Sequence, residues 1–377
     1  MKVLVFTWNT QSVKLCETDS ETQADINRSG YRIFGFPLTT WQYSCSIPDF
    51  WNQLADKIKQ HDPDIIVIGF QEDRHPGSYF HSHFLPAKMP ELGYSLIKRT
   101  KMLGFGRTTV DNLKYLDPMR RGIRCSIYCR DLLKIRIEFK EISLRAVLPL
   151  NGQEEFVCAS GFGPSSLIRG KGATISYLCV PDVGTVAFVC THLPFTSKTL
   201  IDQKVTGDDM IRQTELNSCN GYFNSIIEHV LHHLDGVNHI FFFGDMNYRI
   251  SSSLSAASLK KKLEEEDEQA LFAELYNKYD ELHEQMSRGN IYKFSEGVDG
   301  VGPRFEPTYK LDQQRKWKLG RFDQRVPSWC DRILYRDHHA SSHTISCSDY
   351  ERFDHGATMA QSDHAAVLGV YDFVPRV

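Results

Sequence analysis

Four carboxylates and four carboxamide or imidazole groups stand where short apolar runs begin or end in this chain. Asn9 follows Lys2 to Thr7, and Glu72 follows Ile65 to Phe70. His192 ends Val186 to Thr191, while Asp245 and Asn247 end His239 to Phe243. Asp331 opens the run to Tyr335, and Asp363 and His364 precede Ala365 to Phe373. Carboxylates, amides and imidazoles gathered at one sheet edge can move protons, orient water and hold a hard cation. Magnesium takes oxygen ligands and keeps several waters, so one or two carboxylates suffice. With no clustered His and Cys in metal-ligand spacing, the residue set favours Mg2+ over zinc.

Such groups need a rigid frame. The apolar runs, rich in β-branched and aromatic residues, read as strands, with two more at Ile123 to Cys129 and Thr174 to Val180 and a further one at Phe156 to Ser160. Several are continuously apolar, as expected of strands covered on both faces. Between them lie helical patterns. Phe50, Trp51, Leu54 and Ile58 mark one, with Pro48 in its first turn and Asp62-Pro63 as its stop. Leu216, Phe223, Ile226, Ile227, Val230, Leu231 and Leu234 mark a second, which Gly221 could interrupt; Leu271, Leu275, Leu282 and Met286 mark a third. The charge run from Lys260 to Glu268 reads as a solvated face or a helix start. Strand ends and loops on such a scaffold are where sites are commonly built.

The 377 residues are 41% hydrophobic, ample for a large core, and no repeat or low-complexity linker divides them, so a single domain over residues 1–377 is expected. The 44 basic and 47 acidic residues leave a net charge of −3, which disfavours gripping a nucleic-acid backbone. Ten scattered cysteines without a Cys-x-x-Cys pair read as reduced, mostly buried thiols of a cytoplasmic protein. No stretch reaches the ~20 apolar residues of a membrane span.

Two segments carry most of the specificity: Phe243-Gly244-Asp245-Met246-Asn247-Tyr248-Arg249 and Pro327-Ser328-Trp329-Cys330-Asp331-Arg332-Ile333-Leu334. With Gln71-Glu72, Thr191-His192-Leu193-Pro194, Pro307-Thr308-Tyr309-Lys310 and Ser362-Asp363-His364, they follow one another in the order seen in inositol polyphosphate 5-phosphatases. The chain resembles the catalytic domain of that family, within the deoxyribonuclease I-like endonuclease/exonuclease/phosphatase superfamily.

The resemblance implies an α+β fold, a four-layer α/β/β/α sandwich of two packed, mostly antiparallel sheets flanked by helices. It implies a magnesium-dependent phosphoric monoester hydrolase acting on the 5-phosphate of phosphoinositides such as phosphatidylinositol 4,5-bisphosphate, of soluble inositol polyphosphates, or of both. Carried over residue by residue, Asp245 and Asn247 position the attacking water. Glu72, Asn9 and Asp363 lie at the metal. His192, His364 and Lys171 face the phosphoryl group, and Asp331 orients His364. Tyr309, Lys310 and Arg325 match the contacts to a 4-phosphate. Arg249 is read as a hydrogen-bonding or ion-pairing structural residue, and Trp329 and Cys330 as packing residues. The chain departs from the family at Gly170, where relatives hold Asn, and at Asp323, where many hold Lys; Lys316, Lys318 or Arg321 would have to compensate for the latter. A monomer is expected, with peripheral membrane contact through Leu103, Phe105, Leu167 and Ile168 beside Lys101, Arg107 and Arg169. A nuclease or sphingomyelinase on the same fold, a non-catalytic inositide-binding module and a scaffold are the other readings; Tyr309, Lys310 and the filled polar positions weigh against them.

Overall fold

The computed structural model describes residues 1–10, 14–16, 32–33, 36–37, 44–73, 80–102, 106–110, 113–117, 122–131, 171–193, 208–232, 236–251, 254, 256–265, 267–311, 326–353 and 362–376. Arg325, Asp323, Lys316, Lys318, Arg321, the strand expected at Phe156 to Ser160, and Leu103, Phe105, Leu167, Ile168, Arg169 and Leu234 lie outside them.

In chain order the main elements are β1 (Lys2–Asn9), α1 (Ile47–His61), β2 (Ile65–Asp73), β3 (Tyr94–Met102), β4 (Gly122–Arg130), β5 (Gly172–Val180), β6 (Gly184–His192), α2 (Asp208–His232) and β7 (Val237–Asp245). Then follow α3 (Ala256–Glu265), α4 (Glu268–Tyr279), α5 (Glu281–Ser287), β8 (Ser295–Glu296), β9 (Asp331–Asp337), β10 (His343–Phe353) and β11 (Ala366–Pro375). One sheet has the order β10-β11-β1-β2-β4-β3 and the other β5-β6-β7-β9-β8. Each has one parallel pair, β1 with β2 and β6 with β7, and is otherwise antiparallel.

Successive strand residues face opposite ways, so each apolar run feeds two layers. Val5, Val67 and Ile127 meet Phe188, Phe241, Phe243 and Ile333 between the sheets. On the outer face of the first sheet, Phe6, Trp8, Ile68 and Phe70 pack on Phe50, Leu54 and Ile58 of α1. On the outer face of the second, Val189 and Phe242 pack on Phe223, Ile227 and Val230 of α2. This is the expected two-sheet, helix-flanked α+β sandwich. Each fully buried Phe, Ile or Leu here contributes roughly 1.5–3 kcal/mol of transfer free energy.

Three details depart from the sequence reading. The third helix is two, because Asp280 breaks it. Its extended backbone (φ −75°, ψ 117°) starts α5, and its carboxylate caps His283 N at 2.9 Å. The same buried carboxylate accepts from Arg332 Nη1 at 2.9 Å, while Arg332 Nε donates to Glu296 Oε1 at 2.6 Å. That ion-pair requirement, invisible in helical spacing, overrides the apolar periodicity. Gly221 does not interrupt α2. Strands β3 and β10 went unread, since β10 mixes buried and half-exposed positions without an apolar run. The Lys260 to Glu268 charge run contains the end of α3 and the start of α4, capped by Asp267 accepting from Ala270 N at 3.0 Å. Among the described cysteines, Cys125, Cys129, Cys190, Cys219, Cys330 and Cys347 are buried and Cys179 is partly so; none is in a disulfide. Among the described residues no helix is long and apolar enough to cross a membrane.

Gly244 sets the closeness of β6 and β7 at their functional end. Its φ is 134°, and a Cβ there would lie 1.9 Å from Thr191 O. Both the backbone conformation and the neighbouring carbonyl exclude a side chain. Gly244→Ala is expected to cost about 2–3 kcal/mol, read as a lowered denaturant midpoint at unchanged slope. An unaltered midpoint would contradict this account of the β6–β7 contact.

Candidate active site

The register of the strands gathers the polar ends. Asn9 lies opposite Gln71 in the parallel pair β1–β2, and His192 lies opposite Asp245 in β6–β7. Asp245 also faces Asp331 across the antiparallel pair β7–β9, and Gly172, next to Lys171, faces His192. Isolated bridges join Tyr309 to Ser328 and to His364. Strand pairing within the two sheets, with the isolated bridges, thus brings residues from eight separate segments to one end of the sandwich.

Asp245 is the centre. It is 2% exposed, and its Oδ2 accepts from Asn9 Nδ2 at 2.8 Å and lies 3.1 Å from His192 Nε2. Its Oδ1 accepts from Asn247 N at 3.1 Å. Burial works against ionisation of Asp245, but the His192 hydrogen bond and the His364 and Lys171 charges outweigh it and hold the carboxyl well below the usual range. Asn247 adopts a left-handed conformation (φ 57°), which Asn tolerates better than most residues, and its Nδ2 donates to Leu193 O at 2.9 Å. The Lys171 ammonium touches His192 Nε2. Burial and that ammonium lower the His192 pKa against the pull of Asp245, leaving the ring neutral at pH 7.

The second histidine is the opposite case. His364 Nδ1 lies 2.8 Å from Asp331 Oδ2, which also accepts from Thr308 Oγ1 at 2.9 Å. Burial disfavours the charged ring, yet Asp331 behind it, with Asp245 and Asp363 near, raises His364 to about 9. His364 is therefore an imidazolium at neutral pH, with Nδ1 committed to Asp331 and Nε2 facing the site. Its backbone is fixed by Ser362 Oγ, which accepts from His364 N at 3.1 Å and donates to Asn9 O at 2.7 Å. Trp8 Nε1 donates to His364 O at 3.2 Å. The Tyr309 ring lies 4.5 Å from the His364 ring.

Oxygen donors collect beside this pair. Glu72 Oε1 is 4.0 Å from His192 Nε2, and Asp363 Oδ1 is 3.8 Å from His364 Nε2. Asn9 gives its Nδ2 to Asp245, and its amide oxygen is an acceptor of the kind a hard cation takes. Glu72 sits at φ 51°, a conformation costly for a non-glycine residue and held by Thr10 Oγ1 donating to Glu72 O at 3.3 Å. Asp363 is raised by burial and further by Glu72 and Asp245, against His364 and Lys310. Buried carboxylates that repel one another are relieved by a divalent cation, and an all-oxygen donor set fits magnesium. Asp245, Asp331 and His364 also bring ligand atoms within 4.8 Å of one another. There the imidazolium already supplies the positive charge.

The expected residues Asn9, Glu72, Lys171, His192, Asp245, Asn247, Asp331, Asp363 and His364 meet at this end. Tyr309 and Lys310 flank it, with Lys310 Nζ 4.0 Å from Asp363 Oδ2. Sequence reasoning missed Thr308, Ser362 and Trp8 as supports; all three sit inside or beside quoted motifs, but a hydrogen bond across more than 20 residues leaves no local signal. Trp329 and Cys330 are fully buried, with Trp329 Nε1 donating to Phe305 O at 2.9 Å, so they pack and position Asp331.

Residues 150–370, more than half of the chain, match the Endonuclease/Exonuclease/phosphatase family 2. The chain belongs to this family. Among its relatives, the type IV inositol polyphosphate 5-phosphatase 7 of Arabidopsis thaliana is 27% identical over 266 residues, 68% of this chain and 40% of that protein. The chain spans less than half the length of the curated relatives it matches first, from 12% to 40%. The inositol polyphosphate 5-phosphatase domain of SpSynaptojanin, solved with inositol (1,4)-bisphosphate and calcium ion, is 18% identical with a TM-score of 0.56 over 98% of this chain and 83% of that one. A Cimex nitrophorin, solved as its ferrous NO complex, gives a TM-score of 0.59 at 15% identity over 99% and 98%. The Endonuclease/Exonuclease/phosphatase fold thus hosts unrelated tasks, and function has to be argued from the site.

Proposed function

We propose that this chain hydrolyses the 5-phosphate of phosphoinositides or soluble inositol polyphosphates, with Mg2+ as cofactor, by in-line attack of water. One observation carries the reading: a buried carboxylate kept ionised, Asp245, stands in the same site as a buried imidazole kept cationic, His364. Opposite charges held apart on a rigid edge suit a reaction in which water must be oriented and negative phosphoryl oxygens neutralised. Similarity to inositol polyphosphate 5-phosphatases supports the substrate class.

In this mechanism Asp245 accepts a hydrogen bond from the attacking water. Held well below the usual range, it is a weak base, so its main work is orientation; the water proton is released late, as a loose transition state allows. Asn247 fixes the carboxylate through its N–H and the turn through Leu193. The new bond joins the water oxygen to phosphorus and the phosphorus–inositol oxygen bond breaks; one water proton ends on the leaving inositol oxygen and the other stays on the phosphate, so the products are an inositol hydroxyl and hydrogen phosphate. His364 Nε2 and Lys171 Nζ donate to the non-bridging oxygens, and neutral His192 holds Asp245. Glu72, Asn9 and Asp363 would hold the magnesium, whose chemistry is to stabilise the leaving oxygen and part of the phosphoryl charge. Tyr309, Lys310 and Arg325 would grip a vicinal 4-phosphate.

The test is phosphate release from matched lipid and soluble inositides, each with and without the 4-phosphate, in magnesium and in excess chelator. Release should require the 5-phosphate, and chelation should lower it by on the order of 10³-fold. No release from any inositide in magnesium would sink the proposal, and undiminished release in chelator would remove the metal from it.

A further inference from the structure

Arg249 lies just past the Gly-Asp-x-Asn turn and joins two parts of the site that sequence keeps apart. Its Nη2 donates to Asn247 Oδ1 at 3.0 Å, and its guanidinium carbon lies 4.3 Å from the centre of the Tyr309 ring. Its main chain is pinned from the helical side: Arg249 N donates to Glu281 Oε2 at 2.7 Å, and Arg249 O accepts from Glu281 N at 3.0 Å. Glu281 is itself held by Arg212 Nε at 2.7 Å. The guanidinium is thus fixed at its root, spread against an aromatic ring and bonded to the amide of a residue in a left-handed conformation.

We infer that Arg249 is a positioning residue that makes the Tyr309 wall and the Asp245–Asn247 turn move as one body, so that a phosphate resting on Tyr309 speeds turnover and does not merely tighten binding. The chain of contacts is short. Tyr309 packs on Arg249, Arg249 fixes the Asn247 amide, and Asn247 N holds Asp245 Oδ1. A planar, permanently charged fork can stack and donate at once; a lysine supplies the charge alone. The inference rests on the proposed function in taking Tyr309 to face the phosphate beside the scissile one.

The experiment measures kcat and KM separately for soluble head groups with and without the 4-phosphate, in wild type, Arg249→Lys, Tyr309→Leu and the double variant. Arg249→Lys should lower kcat on the 4-phosphorylated substrate by on the order of tenfold, with KM moving less than about twofold. The loss on the substrate lacking that phosphate should be clearly smaller, a split that general loosening of the fold would not produce. The Tyr309→Leu penalty on kcat should shrink to under about threefold once Arg249 is Lys. Arg249→Gln, which keeps a planar donor, should recover part of the loss, and serves where the lysine variant is poorly folded. Additive penalties, equal losses on the two substrates, or an effect confined to KM would overturn the inference. A wild type inactive on both of these substrates and on the matched lipids would instead overturn the proposed function, and this inference with it.

Discussion

Asp245→Asn is expected to lower kcat by on the order of 10³-fold while leaving KM within about threefold. The carboxylate takes hydrogen bonds from Asn9 Nδ2, from Asn247 N and from the His192 ring, so both its oxygens act as acceptors. An asparagine keeps the shape but turns one acceptor into a donor. Its NH2 then faces either Asn9 and His192 or the Asn247 N–H, and in both cases a buried donor meets a donor. That mismatch costs about 1–3 kcal/mol of stability, which is measurable by denaturant unfolding and separable from the kinetic loss. The kinetic loss has another origin. The field that orients water disappears, and the cationic His364 and Lys171 lose the negative charge that balances them. Substrate binding, which depends on those cations, should hold or tighten. A kcat within tenfold of wild type would remove Asp245 from the centre of the mechanism.

Why that residue was legible is instructive. Phe241-Phe242-Phe243 is a buried strand whose last turn needs Gly244, so the motif declares both a sheet edge and a polar group on it. The same logic made β1, β2, β6 and β9 legible, because continuous apolar runs end in polar residues where the sheet ends. What escaped was set by partners distant in sequence. Asp280 breaks a helix to meet Arg332, 52 residues on. β10 pairs with β11 through backbone hydrogen bonds that its mixed polar sequence does not announce. Thr308 reaches Asp331 because two segments cross, and Arg249 reaches Tyr309 for the same reason. Local pattern encodes where a strand stops; which strand ends share an edge is written in pairing register, and a sequence without a family to compare leaves that open.

The Asp331–His364 pair carries the other large effect, and pH reveals it. With Asp331 behind it, His364 is raised from 6.5 to about 9, so the wild-type rate should fall as pH rises through about 9, when the imidazolium loses its proton. Asp331→Asn removes the charge that lifts the ring but leaves the burial that lowers it. The folded pKa should then drop below 6.5, the alkaline limb should move to the acid side of neutrality, and kcat at pH 7.5 should fall by on the order of 10²-fold. Stability follows the same linkage. A folded pKa above the unfolded value contributes stability that is fully present below pH 6.5 and is lost as pH rises through about 9; a rise of this size is worth on the order of 3 kcal/mol. In the variant the sign reverses, because a ring held neutral by burial destabilises the fold as pH drops below its unfolded pKa. Denaturant unfolding at pH 6 and pH 9.5 should therefore show a wide gap between wild type and variant at the lower pH and a narrow one at the higher. A constant gap, or a wild-type rate without an alkaline limb near 9, would mean that Asp331 only packs against the histidine and does not set its charge.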